Sequence, residues 1–288
     1  MKRVLTIIVT YNFEPWLDKC IQSVLGSSYP TDILVLDNCS KDNTVNLLEE
    51  KYPTITVVKN KTNLGFGCAN NIGLKKVITE RYDFAFLVNQ DAWIDKYCLE
   101  RLINGYTPAL GIISPMHFDG TGNNLDEGFK NYIKNSQRTI DGEITPFINA
   151  AFWLVPTQTI KRVGYFSPIF YHYGEDKDYA NRINYHNLKT AYVENALAYH
   201  DRQNRIMNAD NLFKSEFVFY LTEYCNINYN FITAFTLSIG GIGKKLIKAF
   251  ISKDNESTKS YLSIAWRIFC LTSKVIKTRI DNKATQKL

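Results

Sequence analysis

The chain lacks any close pair of cysteines. Its six stand at positions 20, 39, 68, 98, 225 and 270, so a CxxC redox motif or a cysteine-built zinc site is excluded. Scattered, unpaired cysteines fit a reducing cytosol better than secretion. A membrane span is missing too, because no stretch reaches the roughly 18 apolar residues one needs. The opening "MKRVLTIIVTYN" is basic and then apolar, as a signal peptide is. Its run 4–9 is too short for an apolar targeting core, and no small-residue cleavage site follows. It reads as a first buried strand. Internal repeats and low-complexity tracts are absent.

Charge of one sign is missing from most of the chain. The last 48 residues, 241–288, hold eleven Lys/Arg and three Asp/Glu, a balance of +8, while the first 240 hold 23 and 25. The basic character belongs to the tail, which points to an anionic membrane surface or nucleic acid. No nucleic-acid-binding motif accompanies it, so no nucleic-acid partner is expected.

What is there suits one large domain or one domain with an appendage. The 288 residues are 45% hydrophobic and 14% aromatic, led by 18 Tyr and 17 Phe. That is enough for a sizeable core. The first hundred residues alternate in pattern. Buried strands are expected at 4–9, 32–37, 54–60 and 83–89. Helical spacing fills 15–27, 41–52 (with Asp42 as a plausible N-cap) and 67–80. Such alternation predicts an α/β fold, a mostly parallel Rossmann-like sheet with helices on both faces. Ligands in these sheets bind at the carboxyl ends of the strands. Four polar clusters fall there: Thr10-Tyr11-Asn12, Asp37-Asn38, Asn63-Leu64-Gly65 and Asn89-Gln90-Asp91. Buried-strand patterning requires none of them.

Beyond about residue 105 the alternation weakens. The Gly/Asn-rich 116–143 reads as a long loop or irregular hairpin, and 149–156 as a strand. A helix, an aromatic loop and a second helix from about Glu175 follow. A strand pair is expected over 189–200, then helices at 209–229, 233–252 and 258–280.

Two constellations carry chemistry. A diphosphate leaving group develops charge that a divalent cation neutralises. Mg²⁺ or Mn²⁺ uses one or two carboxylates and takes phosphates and water elsewhere. Asp91, bare at a strand end, suits that need; it equally suits capping a helix near 92–104. In "FYHYGEDKDYANR" (170–182), Glu175, Asp176 and Asp178 crowd together. Crowding raises a carboxyl pKa and leaves a base available near neutrality. The bland alternative is an acidic helix N-terminus with an Asp178–Arg182 surface pair. His200, one of four histidines, ends a strand and is either a metal ligand or structural.

These residues resemble the family 2 glycosyltransferases of GT-A fold. The resemblance is carried by "TIIVTYN" (6–12), "LVLDNCSKDNT" (34–44), "NLGFGCANNIG" (63–73), "LVNQDAW" (87–93), the segment 152–182 and "AYH" (198–200). They span about residues 4–205. The run "NQDA" looks most like the bacterial rhamnosyltransferase-like branch, which decorates O-antigens and capsules. The resemblance implies an inverting transferase. Thr10, Tyr11 and Asp37 would hold the nucleotide base and ribose, with Asn12 and Asn38 beside them. Asn63, Gly65 and Asn70 would lie near the ribose and diphosphate. Asp91 matches the last acid of the family's DxD motif and would bind the metal, with His200 as a further ligand. Asp176 matches the catalytic base, and Glu175 would support it or position the acceptor. Trp153, Tyr173 and Arg182 would line the acceptor side. The departure is Asn89, an amide where the family has the first DxD acid. It offers only a neutral oxygen, to metal or ribose, and so leaves metal dependence open.

The division implied is a catalytic domain over 1–230, its nucleotide-sugar half about 1–105 and its acceptor half about 106–230. A basic amphipathic helical extension covers 231–288. In the extension, Arg267, Lys274, Lys277 and Arg279 interleave with apolar residues, a pattern that suits an interfacial helix on anionic lipid or a helix pair packed on the domain. The expected partners are a dTDP- or UDP-sugar and a glycan or polyprenyl-linked acceptor. The expected place is the cytoplasm, at the inner face of the membrane. Two rivals stand. A sugar-phosphate nucleotidyltransferase would open with a Gly-rich loop and a basic residue after the first strand, and "VTYNFEPW" has neither. A non-catalytic glycosyltransferase-like binding module is favoured by Asn89 and opposed by the intact Glu175-Asp176.

Overall fold

The computed structural model describes residues 1–202 and 209–284. Its first half follows the alternation of the sequence. Strands β1 (Val4–Thr10), β2 (Asp32–Asp37), β3 (Thr56–Lys59) and β4 (Phe84–Asn89) pair in parallel in the order β3-β2-β1-β4. Side chains of a strand alternate between faces. Val4 and Ile8 of β1, Ile33 and Val35 of β2, and Phe84 and Phe86 of β4 therefore pack on one side. They meet α1 (Leu17–Leu25), α2 (Thr44–Lys51) and, further along, α4 (Cys98–Asn104). Leu5, Ile7, Leu34, Leu36 and Leu87 form the other side, against α3 (Phe66–Thr79).

The second half of the sheet is mixed. Strand β5 (Ala92–Ile94) occupies part of the expected helix near 92–104. It is held antiparallel to the last strand through Ala198↔Ile94 and His200↔Ala92. Strand β6 (Leu110–Asp119) runs into the segment read as loop; Gly111 and Pro115 inside it break the apolar pattern. The rest of that segment is α5 (Glu127–Ile133) and a hairpin of β7 (Gln137–Thr139) and β8 (Gly142–Thr145). Strand β9 (Phe152–Pro156) is antiparallel to β4. Helices α6 (Thr157–Val163) and α7 (Glu175–Tyr185) add Ile160, Val163, Tyr179 and Ile183 to the α3 face.

The expected strand pair is one strand, β10 (Lys189–His200). Its register on β6 jumps between Val193 and Leu197. A bulge of this kind bends a strand and re-aims its end. Here it carries Tyr199 and His200 alongside β5. The full order is β3-β2-β1-β4-β9-β6-β10-β8-β7.

The remaining helices are α8 (Ala209–Cys225), α9 (Phe231–Phe235), a π-helical turn Thr236–Gly240, α10 (Gly241–Ile251), α11 (Asn255–Cys270) and α12 (Thr272–Lys283). The helix expected over 233–252 is thus interrupted by the π turn, and that over 258–280 is split at Leu271. These helices share a core with Phe170: Tyr220, Leu221 and Tyr224 of α8 meet Ala234, Ile242, Ile264 and Ile268. This core runs across residue 230, joining α8 to the helices after it. This helical unit is also pinned to α7. Asn282 makes that link, meeting Ser167, which donates to Asp178, while buried Arg279 holds the unit itself together by donating to the carbonyls of Tyr224, Asn226 and Tyr229. One interleaved cation therefore does not face outward as an interfacial helix requires: Arg279 is buried, whereas Arg267 is exposed, its guanidinium 3.9 Å from the centre of the Phe217 ring. No helix among the described residues is long and apolar enough to cross a membrane.

Candidate active site

Strand register builds the site. Thr10 pairs with Asp37 and Val9 with Asn89, so the ends of β1, β2 and β4 form one row. Two neighbouring cavities open over it. One, of about 400 Å³, is lined by Thr10, Tyr11, Asn38, Asn63, Gly65 and Asp91 among others. The second, of about 260 Å³, is lined by Tyr132, Tyr173, Glu175, Asp176, His200 and Arg202 among others. Phe66, Asn89 and His172 line both.

The first cavity has a stiff rim. Asn38 holds it, donating to the Gly65 carbonyl and accepting from Asn60 at 2.9 Å. Gly65 has φ +75°, and a Cβ there would fall 1.9 Å from the Tyr171 carbonyl oxygen. Only glycine serves at such a close approach. Tyr171 reaches back, its hydroxyl donating to the Asn63 carbonyl. Asp37 and Asn70 lie behind the wall. Buried Asp37 accepts from Thr10 and from Ser40. Asn70 donates to the Phe66 carbonyl. Asn12 ties two loops together, its Oδ1 accepting from Lys41 N–H and its own N–H donating to Ser40.

Between the cavities stands a carboxylate–imidazole pair. His200 Nε2 lies 3.1 Å from Asp91 Oδ1. Arg202 Nε lies 3.2 Å from Nδ1 of the same ring. Arginine only donates, so here Nδ1 accepts and the ring proton sits on Nε2, facing Asp91; a cation at Nε2 would need that proton on Nδ1, with Arg202 left to its other partner, Asp126, at 3.3 Å. For a divalent cation the chain offers one carboxylate, one imidazole and the neutral oxygen of Asn89. Among the described residues no group of three His, Cys, Asp or Glu gathers. This donor set fits an ion that takes its remaining ligands from a diphosphate and water.

The second cavity holds the acids. Glu175 and Asp176 open α7 behind Gly174, whose φ is +87° and whose Cα faces Val218, Phe170 and Thr222 too closely for a Cβ. The helical unit thereby fixes where α7 starts. Burial, then the charge of Asp176, pushes the Glu175 carboxyl up to about 8, against the pull of the helix N-terminus. Burial raises Asp176 as well. The Asp176 charge adds to the rise of Glu175, so the two neighbouring carboxyls resist ionising together. Glu175 Oε2 and Asn149 Oδ1 are buried without a hydrogen-bond partner among the described residues. Such orphans ask for a ligand.

Two expected acceptor residues lie elsewhere. Trp153 is fully buried, its indole N–H donating to the Ile148 carbonyl and its ring against Phe166 and Tyr179. Arg182 is buried in a 3.0 Å ion pair with Asp178 and donates to the Val163 carbonyl. Both are core residues, because β9 and α7 turn those positions inward. The Asp178–Arg182 pair is not on the surface either. Tyr173, half-exposed, does line the second cavity. Sequence reasoning missed Gln90, His172, Arg202, Asn149 and Tyr132. Gln90 clamps Tyr11, accepting from its N–H at 2.7 Å and donating to its carbonyl; its place between Asn89 and Asp91 was the signal. Arg202, two residues after His200, had the same signal. Tyr132 has none, since α5 lies in the segment 116–143, whose composition reads as loop.

Residues 6–152, just over half of the chain, match the model of the family described as Glycosyl transferase family 2. The chain belongs to this glycosyltransferase family. Among curated relatives, the transferase is 22% identical over 237 residues to an N-acetylglucosaminyl-diphospho-decaprenol L-rhamnosyltransferase of Mycobacterium tuberculosis, covering 70% of this chain and 77% of that one. It is 31% identical over 90 residues to the dTDP-rhamnosyl transferase RfbG of Shigella flexneri, covering 29% and 31%. Its fold is the GT-A fold of solved neighbours. TarS of S. aureus in complex with UDP superposes with TM-score 0.60 at 14% identity, over 98% of this chain and 89% of that one. The mannosyltransferase PcManGT of Pyrobaculum calidifontis, in complex with GDP-Man and Mn²⁺, gives 0.57 at 14%, over 95% and 87%.

Proposed function

We propose that this transferase moves a sugar, with inversion, from a dTDP- or UDP-sugar to a hydroxyl of a glycan or polyprenyl-linked acceptor in cell-surface polysaccharide assembly. The supporting observation is the placement of Asp176 in a cavity that shares Phe66, Asn89 and His172 with the strand-end cavity. The nucleotide would lie over Thr10, Tyr11, Asn38 and Asn63, with Asp37 and Asn70 supporting the wall. The sugar would reach past Asp91 into the second cavity. Asp176, in the second cavity, would accept the acceptor's hydroxyl proton. The oxygen would attack the anomeric carbon as the bond to the diphosphate breaks and its electron pair leaves with the diphosphate. Glu175, its carboxyl raised by burial and by the Asp176 charge, would when protonated add no second negative charge beside the nucleophile and have a proton to donate in a hydrogen bond. Asp91 and His200 would hold Mg²⁺ or Mn²⁺, which supplies charge to the leaving diphosphate.

The dTDP alternative comes from the Shigella relative's name, the UDP alternative from the TarS complex. The lipid-linked acceptor follows the mycobacterial relative, named for a decaprenol-linked substrate. Such an acceptor would bring the protein to the inner face of a membrane, with the basic 241–288 toward anionic lipid. The test is release of nucleoside diphosphate from dTDP- and UDP-sugars with and without a polyprenyl-diphosphate-linked sugar. Acceptor-dependent release supports the reading. Nucleotide binding without release would leave a non-catalytic module, the alternative that Asn89 favours.

A further inference from the structure

The helical unit keeps its own core yet leaves large apolar side chains outside. On α10, Ile247, Phe250 and Ile251 are 61%, 74% and 74% exposed. Their spacing puts them on one helix face, while Ile242 and Ala249 turn to the core. On α11, Trp266 and Phe269 are 67% and 63% exposed and stack on one another at 6.1 Å. Leu262 extends that stripe by one turn. The two helices pack against each other. Single exposed apolar residues are ordinary, but stripes on adjacent elements mark an interaction surface.

The charges around the stripes are mostly positive, with exposed Asp254 and Glu256 at the start of α11 as the exceptions. Lys244, Lys248, Lys253 and Lys259 are exposed and make no ion pair among the described residues. Lys245, by contrast, is taken by Glu216 at 3.0 Å. We propose that α10 and α11 seat the transferase on an anionic bilayer as a monotopic anchor, with Phe250, Ile251, Trp266 and Phe269 entering the headgroup–acyl boundary and the lysines meeting anionic headgroups. A helix with one apolar face and a lysine-rich flank lies in the interface plane. A tryptophan there keeps its polar N–H near water. A second copy of the chain fits less well, because its own lysines would be brought against these. Anionic lipid neutralises them.

The anchor's purpose rests on the lipid-linked acceptor reading, but its physics does not. The experiment is co-sedimentation of the full chain with phosphatidylcholine vesicles and with vesicles containing phosphatidylglycerol, at low and high salt. Two variants accompany it: Phe250→Ser/Trp266→Ser/Phe269→Ser, and Lys244→Glu/Lys248→Glu. All substituted residues are exposed, so the fold is retained. Wild type should bind the anionic vesicles. The apolar variant should lose about 10-fold or more in partition at either salt, and the charge variant should lose binding mainly at low salt. Both should turn over a soluble acceptor analogue at the wild-type rate, which separates a failed anchor from a failed enzyme. Wild type that ignores anionic vesicles, or an apolar variant that binds undiminished, overturns the proposal. So does a wild-type dimer that the apolar variant abolishes.

Discussion

His200 Nε2 sits 3.1 Å from Asp91 Oδ1, although 109 residues separate them. The contact exists because β10 crosses back antiparallel to β5, pairing His200 with Ala92. It places an imidazole where the chain has only one acid, Asp91, with Asn89 two residues before it. The pair stands where the two cavities meet, between the nucleotide rim and Asp176.

Asp176→Asn should lower turnover by about 10²-fold or more with nucleotide affinity nearly unchanged, because it removes the base and little else. Steady-state kinetics together with nucleotide titration check this. Activity above a tenth of wild type would move the base elsewhere.

Asp178→Ala should act differently, though it lies two residues away. It leaves buried Arg182 uncompensated, which costs about 3–5 kcal/mol. Denaturant unfolding should register the loss. An unchanged midpoint would contradict the structural role given to this pair.

Glu175→Gln should stabilise the protein, increasingly so at higher pH. The folded carboxyl is raised to about 8, above its unfolded value near 4.5. Between these values the folded state binds more protons than the unfolded one, so stability falls as pH rises. Gln lacks that penalty. The difference in Tm should grow from pH 5 to pH 8 and then level. A constant difference would mean that Glu175 is ionised throughout.

Gly65→Ala should weaken nucleotide binding about 10-fold or more and destabilise the fold by about 1–3 kcal/mol. Alanine is strained at this φ, and its Cβ would displace the Tyr171 carbonyl that closes the rim. Nucleotide titration and thermal unfolding test both parts.

The parallel half of the fold was legible because its strands are buried on both faces and read as unbroken apolar runs. Strand β6 was hidden by Gly111 and Pro115, and β10 looked like two strands because its bulge reads as a turn. Site residues that end strands, such as Thr10, Asn89 and Asp91, could be placed by pattern alone. Trp153 and Arg182 could not. Residue type does not reveal which face of β9 or α7 a side chain takes, and both proved to be core. Nor could the sequence reveal Arg202 on His200 Nδ1, or Gly174 locked under α8, since each depends on segments that meet only in the fold.

The most direct test is thermal unfolding of wild type and Asp91→Asn with UDP, dTDP, GDP and CMP, each with and without Mn²⁺. A ligand that binds only the folded state raises its stability by mass action. Wild type should be stabilised selectively by UDP or dTDP, more strongly with Mn²⁺, and Asp91→Asn should lose the Mn²⁺ increment while keeping some response to the nucleotide. Absence of any nucleotide effect in wild type, or an Mn²⁺ increment that survives in Asp91→Asn, would contradict the account.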